Sequence, residues 1–490
     1  MSDASRARSR FRRRTRPPQW RQINFPRRGI TRIHPQPRRP ARQRARDLWD
    51  FARLTIRSST LWLVVAVWMF TGGDYPAGAA VLMLSLIFFL FRPYIHELDL
   101  HLDEDFSTKS AEFLSTMAGA TGVPMISGNR LQILNNGDEF YPAMLEEIGK
   151  ARFSITMEQY IFASSEIGRK FAQALADAAG RGVTVKLLLD AVGGASFGGD
   201  LLSILGASDC EIRWFHPIRW YNLHRVNNRN HRKSLILDGQ IAFTGGAGID
   251  DHWLGNARDA SGWRDIQIRM EGPAVAALQT GFAFNWLQTT GEVITGPIYY
   301  PVLDPVGRVD LQTVLSSPKG DLYTASILYS LAILSARNSI YIANPYFVPG
   351  PRTIEMLADA VHRGVDVKVM VAGPHNDTWW ARQNSVRLYG NLLEAGVEIY
   401  EYQPTMLHQK TMVVDHIWAT VGTTNLDQRS FQFNEEANVC FYDPGRVEQL
   451  RRTFFDDLEH CIRADLGQWR GRSVWKRMGE RFASLLQDQV

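Results

Sequence analysis

ARFSITMEQYIFASS at residues 151–165, followed by ALADAAGRGVTVKLLLD at 174–190, returns as ARNSIYIANPYFVPG at 336–350 followed by MLADAVHRGVDVKVMV at 356–371. In both copies a β-rich segment leads into an Ala-rich stretch of helical periodicity that ends in Arg-Gly (Arg181-Gly182 and Arg363-Gly364). Glycine suits the left-handed residue just past a helix, and a second β-rich segment follows it each time. Strand, helix, strand in that order is a parallel βαβ unit. Each copy continues into a short Ile-containing strand (Glu211-Ile212, Glu398-Ile399) and then a hairpin that begins with histidine. The pattern predicts an α/β chain of two similar lobes, residues 128–296 and 311–490, joined by the Pro-rich linker 297–310 and packed about a pseudo-twofold axis.

The hairpins carry the chemistry. The first reads His231-Arg-Lys233-Ser-Leu-Ile-Leu-Asp238, the second His408-Gln-Lys410-Thr-Met-Val-Val-Asp415. Both are H-x-K-x-x-x-x-D, which a chain of this composition would produce about 0.01 times by chance. A two-residue strand period sets His and Lys side by side on one face, where a buried lysine is costly unless it meets an anion. The aspartates also suit the hairpin turns. With them, the candidate catalytic set is His231, Lys233, Asp238, His408, Lys410 and Asp415.

Substitution at a phosphodiester fits these groups. A monoanionic phosphate gains charge on the way to five-coordinate phosphorus, and two fixed ammonium groups stabilise that gain. One imidazole can attack phosphorus while the other protonates the departing alkoxide, then reverses its role for the incoming alcohol. Two inversions give net retention.

With both motifs in place the chain resembles the phospholipase D superfamily, and within it the bacterial-type cardiolipin synthases. The resemblance covers roughly residues 58–490 and includes Trp263-Arg-Asp265 and the block from Gly422-Thr-Thr-Asn425 through Asn434-Glu-Glu436. It implies that an acid downstream of each motif orients the catalytic histidine, Asp265 for His231 and Glu436 for His408, and that Asn425 helps bind phosphate. The first half departs from the family pattern: Gly245-Gly246-Ala247-Gly248 has glycine where the family has asparagine. Either the backbone or a nearby donor such as Asn230 takes over, or the lobes are less equivalent than usual.

Ahead of the lobes, residues 1–50 hold 16 Arg and 3 Asp, a local charge of +13 in a chain whose total is +5. This Arg- and Pro-rich tail, to residue 57, is expected to be disordered. The remaining body is acidic, which argues against nucleic acid as a partner. Two uncharged runs follow, Ser58 to Gly73 and Tyr75 to Phe91, divided by Asp74 and closed by Arg92. They suggest a transmembrane hairpin over 58–92, in preference to a signal peptide, a transit peptide or a buried core hairpin. Arginines on the near side keep the N-terminus cytoplasmic, so an inner-membrane, multi-pass protein with a cytoplasmic body is expected. Three scattered cysteines fit a reducing compartment. Residues 93–127 read as a connector with one helical stretch near Lys109 to Met117. The C-terminal run Val474, Met478, Phe482, Leu485 has helical spacing with Lys476, Arg477 and Arg481 on the other face, and docking on the second lobe is expected in preference to contact with a membrane.

The leading expectation is a phosphatidyltransferase that makes cardiolipin from two phosphatidylglycerol molecules and releases glycerol through a phosphatidyl-histidine. It would use no cofactor and no metal. A phospholipase D passing the same intermediate to water, or a nuclease of the same superfamily, are the alternatives.

Overall fold

The computed structural model describes residues 65–69, 71–73, 75–90, 100–103, 106–218, 227–318 and 323–484. The basic tail lies outside these residues, as does half of the first uncharged run. The chain divides after Arg92. Before that point Tyr75–Leu90 is a sixteen-residue helix with no charged side chain. At 1.5 Å per residue it is about 24 Å long, against roughly 30 Å of hydrocarbon in a bilayer. Among the described residues no helix is long and apolar enough to cross a membrane.

After Arg92, one long mixed sheet runs through both lobes. At its centre Ile126–Asn135 pairs antiparallel with Val309–Ser316, Ile126 opposite Leu311. Outward from the first of these strands come Ile266–Glu271, Ile241–Gly245, Ser234–Leu237, Ser154–Gln159, Thr184–Asp190 and Glu211–Phe215. Outward from the second come Asn434–Phe441, Trp418–Gly422, Thr411–Val414, Ser339–Ala343, Asp366–Ala372 and Glu398–Tyr402, with Cys461–Arg463 at the rim. The two paths have the same order, as the duplicated sequence requires.

The βαβ units are parallel where the pattern placed them, Ser154–Gln159 beside Thr184–Asp190 and Ser339–Ala343 beside Asp366–Ala372. Gly182 and Gly364 close the helices at φ 89° and 87°, a conformation that would strain any side chain. Both inner strands are buried along their whole length, which explains their unbroken apolar character. One core cluster mixes Ile133 and Ile268 of the first lobe with Val421 and Val439 of the second, so the lobes share an interior.

Three segments differ from expectation. The connector is part of the second lobe: its helix, Ala111–Thr121, inserts Phe113 and Met117 into that lobe's core. Those two residues lie one turn apart, and so short a repeat gives little periodic signal. The linker is packed too, with Tyr299 buried in the shared core. The C-terminal helix, Val474–Ala483, docks on the second lobe as expected, but through Glu480 and Ala483, and it leaves Val474, Met478 and Phe482 exposed.

Asp238 and Asp415 are built into the frame and are not brought to the histidines. Each has positive φ, 52° in both, and closes its hairpin at the end remote from the histidine. Asp238 Oδ1 accepts from the amides of Phe153 and Ser154 at 2.7 and 2.9 Å. Asp415 accepts from those of Arg337, Asn338 and Ser339 at 2.9, 2.6 and 2.9 Å, and from the Thr108 hydroxyl at 2.5 Å. Each carboxylate thus accepts from the amides at the entrance to a buried strand, which would be costly to leave unpaired. Asp415→Ala is expected to cost about 3 kcal/mol of unfolding free energy in a denaturant titration. Turnover per folded molecule should change little, whereas a catalytic carboxylate would take most of the activity with it.

Candidate active site

Two short parallel clips carry the histidines across the lobe boundary. Arg229–Asn230 of the first lobe pairs with Asn434–Glu435 of the second, and the His231 amide donates to Glu435 O at 3.0 Å. Met406–Leu407 of the second lobe pairs with Trp263–Arg264 of the first, and the His408 amide donates to Arg264 O at 2.7 Å. In each clip the next residue along the partner strand is an acid, Glu436 or Asp265. Each imidazole is therefore tethered beside a carboxylate of the opposite lobe.

The side chains complete the exchange. His231 Nδ1 lies 3.0 and 3.1 Å from the Glu436 carboxylate oxygens, and His408 Nδ1 lies 2.7 Å from Asp265 Oδ2. This reverses the assignment drawn from the family resemblance, which paired each histidine with the acid downstream in its own half. Chain order cannot show which lobe an acid faces; the clips decide it. With Nδ1 committed to a carboxylate, Nε2 is the nitrogen available to a substrate.

Lys233 Nζ donates to His231 O at 3.0 Å, and Lys410 Nζ to His408 O at 2.5 Å. Lys410 Nζ also sits 3.2 Å from both ring nitrogens of His408. Burial pushes Lys233 down to about 7, with the Lys410 charge adding to the effect, and pushes Lys410 down to about 8. Burial likewise lowers His231 to about 4 and His408 to about 3. Each imidazole also feels the ammonium of the other motif, which places all four groups in one electrostatic site. Burial works to raise Asp265 and Glu436, yet their histidines and the nearby lysines outweigh it and hold both below the ordinary carboxylate range.

The surroundings were not legible as functional. Tyr160 meets His231 edge-on at 5.1 Å, with Lys233 Nζ 5.5 Å from its ring. Trp253, Trp263 and Tyr346 surround His408 at 5.3, 5.0 and 6.2 Å. Trp253 Nε1 donates to Asp265 Oδ2 at 3.0 Å, the same oxygen that faces His408. Its counterpart on the other side is Thr423, whose hydroxyl donates to Glu436 Oε2. Trp263 stood in the family block, but aromatic residues such as Tyr160, Trp253 and Tyr346 read as core, and only Tyr160, directly after its strand, had a position that could have singled it out.

The missing asparagine has a steric reason. A Cβ on Gly248 would stand 2.9 Å from Ile161 O, 3.0 Å from Ile161 Cβ and 3.2 Å from the Trp253 ring, so Ile161 and Trp253 together occupy that room. A Cβ on Gly246 would stand 2.3 Å from Asp265 Oδ1. Asn230 is not a substitute: its Nδ2 donates to Glu158 at 2.9 Å and its Oδ1 accepts from Arg232 N. In the second lobe Asn425 is buried, and its Oδ1 has no hydrogen-bond partner among the described residues. The lobes share a fold without sharing every donor.

Crossing has a direct spectroscopic test. In 15N spectra of the histidine side chains, Glu436→Gln should shift the His231 ring nitrogens and leave those of His408 nearly unchanged, with Asp265→Asn doing the reverse. The opposite correspondence would contradict the geometry.

The chain matches the family described as cardiolipin synthase, phospholipase D-like domain, over residues 144–261 and 330–458, one stretch in each lobe. A cardiolipin synthase of Geobacillus kaustophilus (strain HTA426) is 35% identical over 366 residues, 74% of this chain and 73% of the relative. Cardiolipin synthase 2 of Bacillus anthracis is 34% identical over 383 residues, 77% and 74% of the two chains. Among solved structures, the phosphatidylserine synthase of Haemophilus influenzae Rd KW20 superposes with a TM-score of 0.58 at 14% identity, covering 77% of this chain and 98% of that one, a likeness of fold. With paired motifs, duplicated lobes and these relatives together, the chain belongs to the phospholipase D-like cardiolipin synthase family.

Proposed function

We propose that the protein is a membrane-bound phosphatidyltransferase that converts two phosphatidylglycerol molecules into cardiolipin and glycerol. The observation that carries this reading is the pair of imidazoles, each oriented by a carboxylate of the other lobe, beside two lysines in one buried site. The family relatives, named cardiolipin synthases, support the choice of lipid.

In the proposed first step, Nε2 of one histidine attacks phosphorus and the bond from phosphorus to the glycerol headgroup breaks. The other histidine, whose proton affinity the bound phosphodiester anion raises so that it carries a proton on Nε2, delivers that proton to the departing alkoxide, and glycerol leaves. A phosphatidyl-histidine is left behind. In the second step a hydroxyl of another phosphatidylglycerol gives its proton to the same acid-base histidine while its oxygen displaces the histidine nitrogen from phosphorus. Glu436 and Asp265 hold the rings and stabilise whichever becomes imidazolium. Lys233 and Lys410 offset the negative charge that builds on the equatorial oxygens, with Asn425 as a further contact to phosphate. One phosphodiester replaces another, so the exchange is nearly balanced and needs no activated nucleotide.

The two uncharged runs within residues 58–92, in which Tyr75–Leu90 is helical, are proposed to anchor the protein in the inner membrane with its body in the cytoplasm. That would confine the site to the leaflet that supplies both substrates.

Purified full-length protein in phosphatidylglycerol vesicles should release cardiolipin and glycerol in equal amounts, and His231→Ala or His408→Ala should each reduce the rate by at least about 10⁴-fold. Phosphatidic acid as the sole lipid product would overturn the transferase reading in favour of hydrolysis. The pH dependence follows from the lysines. Each ammonium is present below its pKa, about 7 for Lys233 and about 8 for Lys410. Therefore kcat/KM, which reports the free enzyme, should fall as pH rises past 7, by about tenfold per unit for each lysine discharged. Lys233→Arg should lower the maximum and extend activity to higher pH. A profile flat to pH 9 would show that the charges are not required.

A further inference from the structure

The helix Val474–Ala483 turns its one acid inward and everything adhesive outward. Glu480 is buried, its carboxylate held by Arg472 at 2.7 and 2.9 Å, and Ala483 O accepts from Asn384 Nδ2 at 3.1 Å. These contacts fix the helix to the second lobe. On its other side Val474, Trp475, Met478 and Phe482 are 66%, 80%, 53% and 56% exposed. Lys476, Arg477 and Arg481 are exposed among them. Arg477 donates to the carbonyls of Arg470 and Arg472, and none of the three cations meets a carboxylate among the described residues.

The patch extends beyond the helix. Trp380 lies 5.5 Å from Phe482 and 4.9 Å from Trp379, itself half exposed. These tryptophans open the helix Trp379–Glu394, two residues beyond Asp377. The Asp377 carboxylate accepts from the Tyr346 hydroxyl at 2.5 Å, and the Tyr346 ring stands 6.2 Å from that of His408. A run of contacts thus joins the exposed aromatic face to the wall of the active site.

We infer that Val474–Ala483, with Trp379 and Trp380, is an interfacial docking surface that lies at the boundary between headgroups and acyl chains of an anionic bilayer. Large apolar side chains grouped on a water-facing surface mark an interaction site, and tryptophan beside lysine and arginine suits the membrane interface. The charge pattern selects the occupant. A second copy of the same face would oppose three cations with three cations, whereas anionic headgroups neutralise them. Docking here would hold the His408 side of the site against the leaflet. The inference rests on the proposed lipid substrate for its purpose, but its test does not require turnover.

Full-length protein would be placed in nanodiscs of phosphatidylcholine with or without phosphatidylserine, using acyl chains brominated near the headgroup. The quenching lost in Trp475→Phe reports the depth of Trp475. Marked quenching in anionic discs, reduced when Lys476, Arg477 and Arg481 are changed to glutamine, is expected; no quenching would place Trp475 in water and overturn the inference. In assays, Trp475→Ser with Phe482→Ser should slow turnover of bilayer phosphatidylglycerol about tenfold while leaving dissolved short-chain phosphatidylglycerol unaffected. Equal losses on both would signify a purely structural role. Concentration-dependent dimers in detergent that vanish in the double serine variant would assign the face to a second copy. Quenching without cardiolipin formation would sink the transferase reading and leave the docking surface standing.

Discussion

Two imidazoles, two ammonium groups and two carboxylates occupy one buried place, and each imidazole's carboxylate comes from the other lobe. Much of the architecture follows from that constraint. Neither lobe can orient its own histidine, so the interface must be rigid at the scale of a hydrogen bond. It is braced on both sides. Arg232, next to His231, reaches Glu435 at 2.7 Å and donates to the carbonyls of Glu436 and Ser316. Arg264, next to Asp265, grips Asp457 at 3.0 Å and both Asn135 and Asn136. Buried ion pairs of this kind add little net stability but fix geometry, because breaking either one leaves a charge without water.

Much of this was legible in the sequence. Duplication of the βαβ pattern gave the lobes, since burial on both faces of parallel strands leaves long apolar runs and glycine punctuates the helices. The histidine and lysine of each motif stood out because a strand repeat puts them on one face, where packing alone has no use for a lysine. What the sequence hid were relations between distant segments. Asp265 follows His231 by 34 positions and faces His408, and nothing local to either residue encodes that. Asp238 and Asp415 looked catalytic by association with their motif, yet their positive φ and their amide partners make them turn residues. The connector's helical stretch was legible, but Phe113 and Met117 make only one apolar turn, which does not say that the helix joins the second lobe's core.

The halves have diverged around a common plan. At the position equivalent to Thr423 the first lobe has Gly246, and the acid's extra donor comes instead from Trp253. With Ile161, that tryptophan crowds the room an asparagine at 248 would need. One side of the site thus presents aromatic surface around His408, and the other presents Tyr160 beside His231. Such asymmetry is what two chemically different roles, nucleophile and acid-base, would draw upon.

The most direct test of the crossed assembly is a crystal structure with orthovanadate, which copies five-coordinate phosphorus. Both Nε2 atoms, of His231 and of His408, should flank a single vanadium, one bonded at an apex and the other hydrogen-bonded to the opposite apical oxygen, with Lys233 and Lys410 on the equatorial oxygens. Vanadate held by one histidine alone, or two ions in separate cavities, would contradict it.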